Sequence, residues 1–521
     1  MPFIILLHSE GHIAAPLARR AGFLLTLTAL GFVLAWLPLP LAAVGLLGIT
    51  GFVLILLRPV WGLIVLIPLI PFSSLVSLQM GGIQVGGMEA LLLSILVAWL
   101  LRMAARRQIV IPHPPLLLPW LLWLGVILAS WLVALSLGAA LPESLKWLEM
   151  LALYLFMAAN VERRHLPWLV GALLLAGTAQ ALLGLYQFLF RAGPEGFLLF
   201  GGRFLRAYGS FRQPNPYAGY LGLVLPFAFS LTLWALTERP RRPPAPGGQP
   251  LATAASHPSP RSEVTTLPTP CTCPIAGAGS LLPAAYFLVA FGLMLAALYA
   301  SQSRGAWLGF IAALAAIGLV RGGRTAAWLV FLVAALALAG AMGAFHSLPP
   351  TIVQRFNEAL TALSIPDIAT AEVTDANFAA IERLAHWQAA LDMWRDHPWL
   401  GVGFGNYPVV YPAYAIGRWR DALGHAHNYY LNVAAETGLA GLMAYTLFWL
   451  FAFGLGWMAV RRSRGIDRAL AAGSVGVLAH LAVHNLVDNL YVQGMYLHVA
   501  IVLGLLCLFY QTKVDNPGRR V

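Results

Sequence analysis

The chain has 521 residues, 60% of them hydrophobic and only 10% charged, with a formal net charge of +12 and a mean hydropathy of +0.77. Soluble domains carry about 25% charged residues, so a water-facing globular protein is excluded. A membrane β-barrel is excluded as well, because its strands alternate apolar and polar residues and the apolar runs here do not alternate. Those runs recur at about 20 residues, the length a helix needs to cross the hydrocarbon of a bilayer. They predict an all-α, polytopic integral membrane protein with 12–14 transmembrane helices and one large, partly helical extracytoplasmic loop.

In chain order, candidate spans lie at 21–39, 41–57, 59–77, 86–104, 115–138, 142–160, 167–190, 216–236, 282–300, 304–320, 326–345, 434–460, 467–486 and 493–511. Arg19 and Arg20 precede the first run, which has no small-residue cleavage site and reads as a retained span. Lys and Arg in short loops orient such a chain. With the N-terminus inside, 21 of the 32 basic residues fall on the cytoplasmic side and both termini are cytoplasmic. The basic excess therefore sits where membrane topology requires it, and membrane lipids are expected as neighbours, with no nucleic acid.

The expected organisation has N-terminal transmembrane helices over 1–200 and transmembrane helices with arginine motifs over 201–345. An extracytoplasmic loop over 346–426, C-terminal transmembrane helices over 427–511 and a cytoplasmic tail over 512–521 follow. Residues 237–281 are rich in Pro, Ser, Thr and Gly and read as a disordered cytoplasmic linker. Within the large loop, Leu384, Trp387, Leu391 and Trp394 recur every three or four residues and predict a helix over 381–395. The three cysteines (Cys271, Cys273 and Cys507) form no disulfide framework or metal motif, and no two aspartates stand two apart. No metal and no cofactor is expected.

Outside basic residues are the exception to the charge rule and call for a reason. Apart from the large loop they are Lys146, Arg191, Arg203, Arg206, Arg212 and Arg304. Arg206 and Arg212 belong to the segment Arg-Ala-Tyr-Gly-Ser-Phe-Arg-Gln-Pro-Asn-Pro (206–216), just before a span, and Arg304 sits in a hairpin too short to carry its charge far from the bilayer. A charge at the bilayer centre costs about 2.5–3.5 kcal/mol, less toward the interface, and guanidinium forks match phosphate oxygens. Each arginine taken singly is as well explained by snorkelling or by capping a helix. Arg206 and Arg304 together favour a site for a phosphate-bearing lipid.

His427 and Asn428 stand where the large loop re-enters the membrane, and an imidazole there can take a proton near neutral pH. Glu436 follows nine residues on in an apolar helix. His425 is the nearest competitor to His427. His484 and Asp488 cluster with Asn485 and Asn489 at the end of the penultimate span, as a site lining or as a polar helix terminus. Gly401-Val-Gly-Phe-Gly405 follows no strand and lacks the third glycine of a dinucleotide loop, so it reads as a turn.

Four motifs in this order carry a resemblance: Arg206 with Gly209-Ser-Phe-Arg-Gln-Pro-Asn215, Ser303-Arg-Gly-Ala-Trp307, Pro398-Trp-Leu-Gly-Val-Gly-Phe-Gly-Asn406, and His427-Asn-Tyr-Tyr-Leu with Glu436-Thr-Gly. Over residues 200–490 the chain resembles the O-antigen ligase and polymerase superfamily of bacterial envelope glycan enzymes. The resemblance implies a metal-independent, inverting transferase in the cytoplasmic (inner) membrane, with its active site on the extracytoplasmic face. It implies an undecaprenyl diphosphate-linked glycan as donor, and a lipid A core or another glycan as acceptor. It assigns Arg206 and Arg304 to the diphosphate and His427 to the acceptor, and leaves the division of duties between Arg206 and Arg212 open. Asn215, Asn428, Glu436, His484 and Asp488 are the supporting candidates. A lipid-linked glycan transporter is the rival from another class, but it would show internal repeats with interrupted helices, and the polar chemistry here sits in one half of the chain.

Overall fold

The computed structural model describes residues 38–75, 77–80, 83–108, 112–199, 202–237, 281–323 and 377–511, with isolated positions at 28, 326, 327, 368, 373 and 374. The expected spans 21–39 and 326–345, the linker, Cys271, Cys273, the tail and much of 346–376 lie outside the described residues.

Fourteen α-helices are described: α1 (Leu39–Leu57), α2 (Pro59–Leu69), α3 (Gly87–Ala105), α4 (Leu117–Ser130), α5 (Leu137–Asn160), α6 (Leu166–Phe190), α7 (Pro214–Thr237), α8 (Leu281–Ser301), α9 (Arg304–Arg321), α10 (Phe378–Asp396), α11 (Tyr407–Tyr414), α12 (Tyr429–Arg462), α13 (Gly465–His484) and α14 (Met495–Gln511). Among the described residues, seven helical stretches are long and apolar enough to cross a membrane, and four shorter apolar ones accompany them. Twelve of the candidate spans thus coincide with α1–α9 and α12–α14, and the protein is an all-α, multi-pass membrane protein. Among the described residues the strands form two short antiparallel pairs, Ser77–Met80 with Ile83–Gly86 and Leu198–Leu199 with Phe204–Leu205.

Two departures from the expected spans have local causes. The 59–77 span stays helical only to Leu75, its last turn tightening to a 3-10 helix before the hairpin. The 142–160 span starts earlier, at Leu137, because the Ser136 hydroxyl caps it by accepting from the Ala139 N–H at 3.2 Å.

The chain divides into two units, Met1–Leu63 with Leu91–Ile109, and Ile64–Ala90 with Val110–Val521. In the first, a side chain at Gly62 would meet Ile95 at 2.7 Å, so α2 and α3 pack backbone to side chain there. The candidate site lies within the second. There α7, α9 and α13 pack against one another, and glycines make the fit. Cβ atoms at Gly305 and Gly309 of α9 would lie 2.6 Å from Val487 and 2.7 Å from the His480 ring. Bulky imidazoles on α13 therefore fill room that the facing helices leave by omitting side chains. A second centre is aromatic: Trp120, Trp123, Trp147, Tyr445, Phe448 and Tyr491 are buried and meet edge-on or tilted at ring centroids of 4.9–6.4 Å.

Helix α10 forms where the apolar periodicity predicts it, but it turns a different face inward. Ile381, Ala385, Ala389, Ala390 and Met393 are buried, while Leu384, Trp387, Leu391 and Trp394 are half-exposed. Small alanines allow close approach to the start of α12 and to Tyr407 and Tyr411 of α11, which the larger row would block.

Candidate active site

The segment after α6 places the first arginine. Two buried glutamines on one face of α6, seven residues apart, bind its backbone. Gln187 Oε1 accepts from the N–H groups of Tyr208 (3.1 Å) and Gly209 (2.7 Å), and its Nε2 donates to the Gly209 carbonyl at 2.7 Å. Gln180 accepts from the Ser210 N–H at 3.1 Å and donates to its hydroxyl at 2.8 Å, and that hydroxyl donates to the Pro71 carbonyl. Buried amides satisfied this fully rigidify a segment. Motifs and charge in the sequence do not single out either glutamine; the signal that marks them is two glutamines at i and i+7 in an apolar helix.

Held this way, Arg206 donates through Nε to the Ser301 carbonyl at 3.0 Å and through a terminal nitrogen to Asn215 Oδ1 at 3.1 Å. The first bond ties it to the turn between α8 and α9, where Gln302 adopts a left-handed φ of 54° and Arg304 opens α9. Ser303 is the N-cap of α9 and makes no side-chain capping hydrogen bond, and the positive end of the helix dipole lies beside two guanidinium groups. Arg206, Asn215, Gln302, Ser303, Arg304 and Gly305 line a cavity of about 140 Å³, closed by Arg383 of α10 and by His484 and Asp488. Its character is that of an oxyanion pocket.

A second, open cavity of about 580 Å³ adjoins it. Its lining mixes charge and apolar surface: Glu143, Lys146, Arg212, His425, His427 and Glu436 with Phe404, Leu423 and Tyr429. Asn215 and Asp488 line both cavities. Arg212 therefore parts from Arg206 and Arg304 and faces the wider space.

His427 lines the wider cavity beside Asp488. Its backbone, at φ 53°, donates from N–H to His425 Nδ1 at 3.1 Å and accepts from the Trp387 indole at 3.3 Å. Its ring Nδ1 stands 3.8 Å from Asp488 Oδ1, too long for a hydrogen bond and within ion-pair reach. Neither ring nitrogen has a hydrogen-bond partner among the described residues. Burial opposes ionisation of Asp488, but the His427, His484 and His425 rings and Arg383 hold its carboxyl below the usual carboxylate range. Burial, with the neighbouring His427, lowers His425 and His386 to about 4, so both are neutral near pH 7. The His427 ring thus stands between anionic Asp488 and the neutral His425 and His386 rings, whose centroids lie 4.4 and 5.6 Å away.

His425, His427 and Asp488 also bring one potential metal-ligand atom each within 4.8 Å of one another. His425 Nδ1 is already engaged by the His427 N–H, and the adjoining cavity carries three guanidinium groups. That surrounding charge suits an anion better than a cation.

Asn428 is the N-cap of α12, accepting from the N–H groups of Tyr430 and Leu431 at 3.0 and 3.1 Å. Glu436 lines the wider cavity, but its carboxylate accepts from the Tyr407 N–H at 2.9 Å, at the start of α11. The Pro398–Asn406 segment is a turn, interlocked with a break in α12 at Gly438, where φ is 63°. The break frees the carbonyls of Ala435 and Glu436 and the N–H groups of Leu439 and Ala440. Val402 and Gly403 donate to the first pair at 2.9 Å each, while Pro398 and Trp399 carbonyls accept from the second at 2.7 and 3.3 Å. Every group released by the kink is thus satisfied by the turn.

Residues 289–446 match the family model described as O-antigen ligase. The matched stretch includes Arg304, His427 and Glu436 and leaves Arg206, Arg212, Asn215, His484 and Asp488 outside it. No curated protein matches the chain.

Proposed function

We propose that this chain, whose residues 289–446 match the O-antigen ligase family model, is a glycosyltransferase of the O-antigen ligase and polymerase superfamily. It moves a glycan from an undecaprenyl diphosphate carrier to an acceptor hydroxyl at the outer face of the cytoplasmic membrane, with both termini inside. The observation that carries this reading is the pair of adjoining cavities, one basic and one of mixed character, that share Asn215 and Asp488 and have His427 on the wider side.

In this reading the diphosphate sits between Arg206 and Arg304, and the acceptor enters the wider cavity. The acceptor oxygen attacks the anomeric carbon from the face opposite the diphosphate, so the configuration inverts. The bond from that carbon to the diphosphate oxygen breaks and its electron pair stays on the leaving group. Fixed guanidinium groups and the α9 N-terminus stabilise the charge that develops there. The acceptor proton passes to His427, and Asp488 steadies the resulting imidazolium. No step needs a metal. Ligase and polymerase reactions share this chemistry and differ in the acceptor, with the lipid A core the acceptor we favour and a second glycan chain the alternative.

The test uses purified full-length protein in lipid with an undecaprenyl diphosphate-linked oligosaccharide and follows release of the free carrier. Release that requires an added acceptor and falls at least about a hundredfold in His427→Ala supports the proposal, and the acceptor that works separates ligase from polymerase. Passage of the intact donor across the bilayer without carrier release would instead make the protein a transporter.

A further inference from the structure

The geometry points to Arg383 of α10 as the third guanidinium of the diphosphate site, supplied by the large loop rather than by the membrane helices. This inference rests on reading the basic cavity as the donor's diphosphate pocket.

Position is the first argument. Arg383 and Ala379, one turn apart on α10, line the same 140 Å³ cavity as Arg206 and Arg304. The second is the charge that surrounds it. Arg383 is half-buried and acts on Asp488, the acidic residue of the cavity lining, which also faces the His427 ring and shares the cavity with Arg206 and Arg304. Arg395, on the same helix, instead reaches Asp392 at 2.8 Å. One carboxylate among three guanidinium groups leaves the cavity short of negative charge until an anion arrives.

Charge balance is the third argument. A diphosphate esterified at both ends carries two negative charges. Arg206 and Arg304 bring two positive charges to the cavity and Asp488 removes one. With Arg383 the lining returns to +2 and matches the bound donor. When the glycosidic bond breaks, the leaving diphosphate gains a third negative charge while His427 gains the acceptor proton, so the balance holds through the reaction. Without Arg383 the site is one charge short at both stages.

Duties then divide by anchoring. Arg206 is tied to Ser301 and Asn215 before substrate arrives, whereas among the described residues Arg383 makes no hydrogen bond. Donor binding thereby engages α10, the helix that also carries His386 against His427, with ring centroids 5.6 Å apart.

The test compares wild type, Arg383→Ala, Arg383→Lys and Arg304→Ala, each as full-length protein in vesicles and each checked for its unfolding midpoint. Inorganic pyrophosphate serves as competitor, and donor and acceptor KM are measured separately. Arg383→Ala is expected to raise the donor KM and the pyrophosphate inhibition constant at least tenfold, with the acceptor KM within twofold. Arg383→Lys should regain part of the loss, because the charge returns without the fork. Unchanged donor KM and pyrophosphate inhibition in Arg383→Ala, with both impaired in Arg304→Ala, would overturn the inference and leave the donor pocket standing. If Arg304→Ala also leaves pyrophosphate inhibition unchanged, the reading of the pocket itself fails. A response confined to the fraction of anionic phospholipid in the vesicles would assign Arg383 to a lipid headgroup and likewise overturn the inference.

Discussion

Replacing Gly438 with alanine should open the interlock that places Glu436 beside Tyr407. The glycine has φ 63° and ψ −161°, a region that costs a residue with a Cβ about 1–3 kcal/mol. The added Cβ would also collide with the carbonyl group of Trp399, so the turn must move away. Moving it strains the bonds from Leu439 and Ala440 to the Pro398 and Trp399 carbonyls, each worth about 0.5–1.5 kcal/mol net. The sum is about 2–6 kcal/mol, and even 3 kcal/mol is more than a hundredfold in a local opening equilibrium. Hydrogen exchange of the full-length protein in detergent reads this at the Val402, Gly403, Leu439 and Ala440 amides, which should lose protection by that factor. Gly454→Ala in the same helix is the control. Its Cβ meets nothing within 4 Å, and its exchange at those amides should match wild type. Equal protection in the two variants would refute the accounting of the kink's freed groups.

Two further outcomes follow from the geometry. Histidine 386 is buried, contacts the Tyr407 hydroxyl at 2.9 Å and is lowered to about 4 from an ordinary 6.5. A histidine held neutral stabilises the fold fully above the unfolded value, so the contact of α10 with α11 should weaken as pH falls from 6.5 through 4. The loss reaches about 3 kcal/mol, and His386→Gln should flatten the pH dependence of the unfolding midpoint across that window. Gln187→Leu removes three hydrogen bonds to the Tyr208–Gly209 backbone and leaves their buried groups unpaired. It should cost about 2–4 kcal/mol of stability and raise the donor KM with little change in the acceptor KM, because Arg206 follows that backbone.

Hydropathy and charge in the sequence determined the membrane class and most of the helices, because lipid offers the backbone no partners and apolar length is a local property. Arg206, Arg304, His427 and Asp488 stood out for the same local reason, as ionisable groups at the ends of apolar runs. Which of them meet was decided only by the tertiary structure. Asn215 is tied to Arg206, Asp488 faces His427 across 61 positions of chain, and Arg212 turns to the other cavity. The inward face of α10 and the partners of Gln180 and Gln187 were likewise settled by packing. Periodicity says that a helix has an apolar side. Small residues such as Ala385 and Ala389 decide how closely another helix can approach it, and that depends on surfaces distant in the chain. Complementary hydrogen-bonding groups become a site only when the fold brings their segments together, and no window of sequence contains both halves of such a pair.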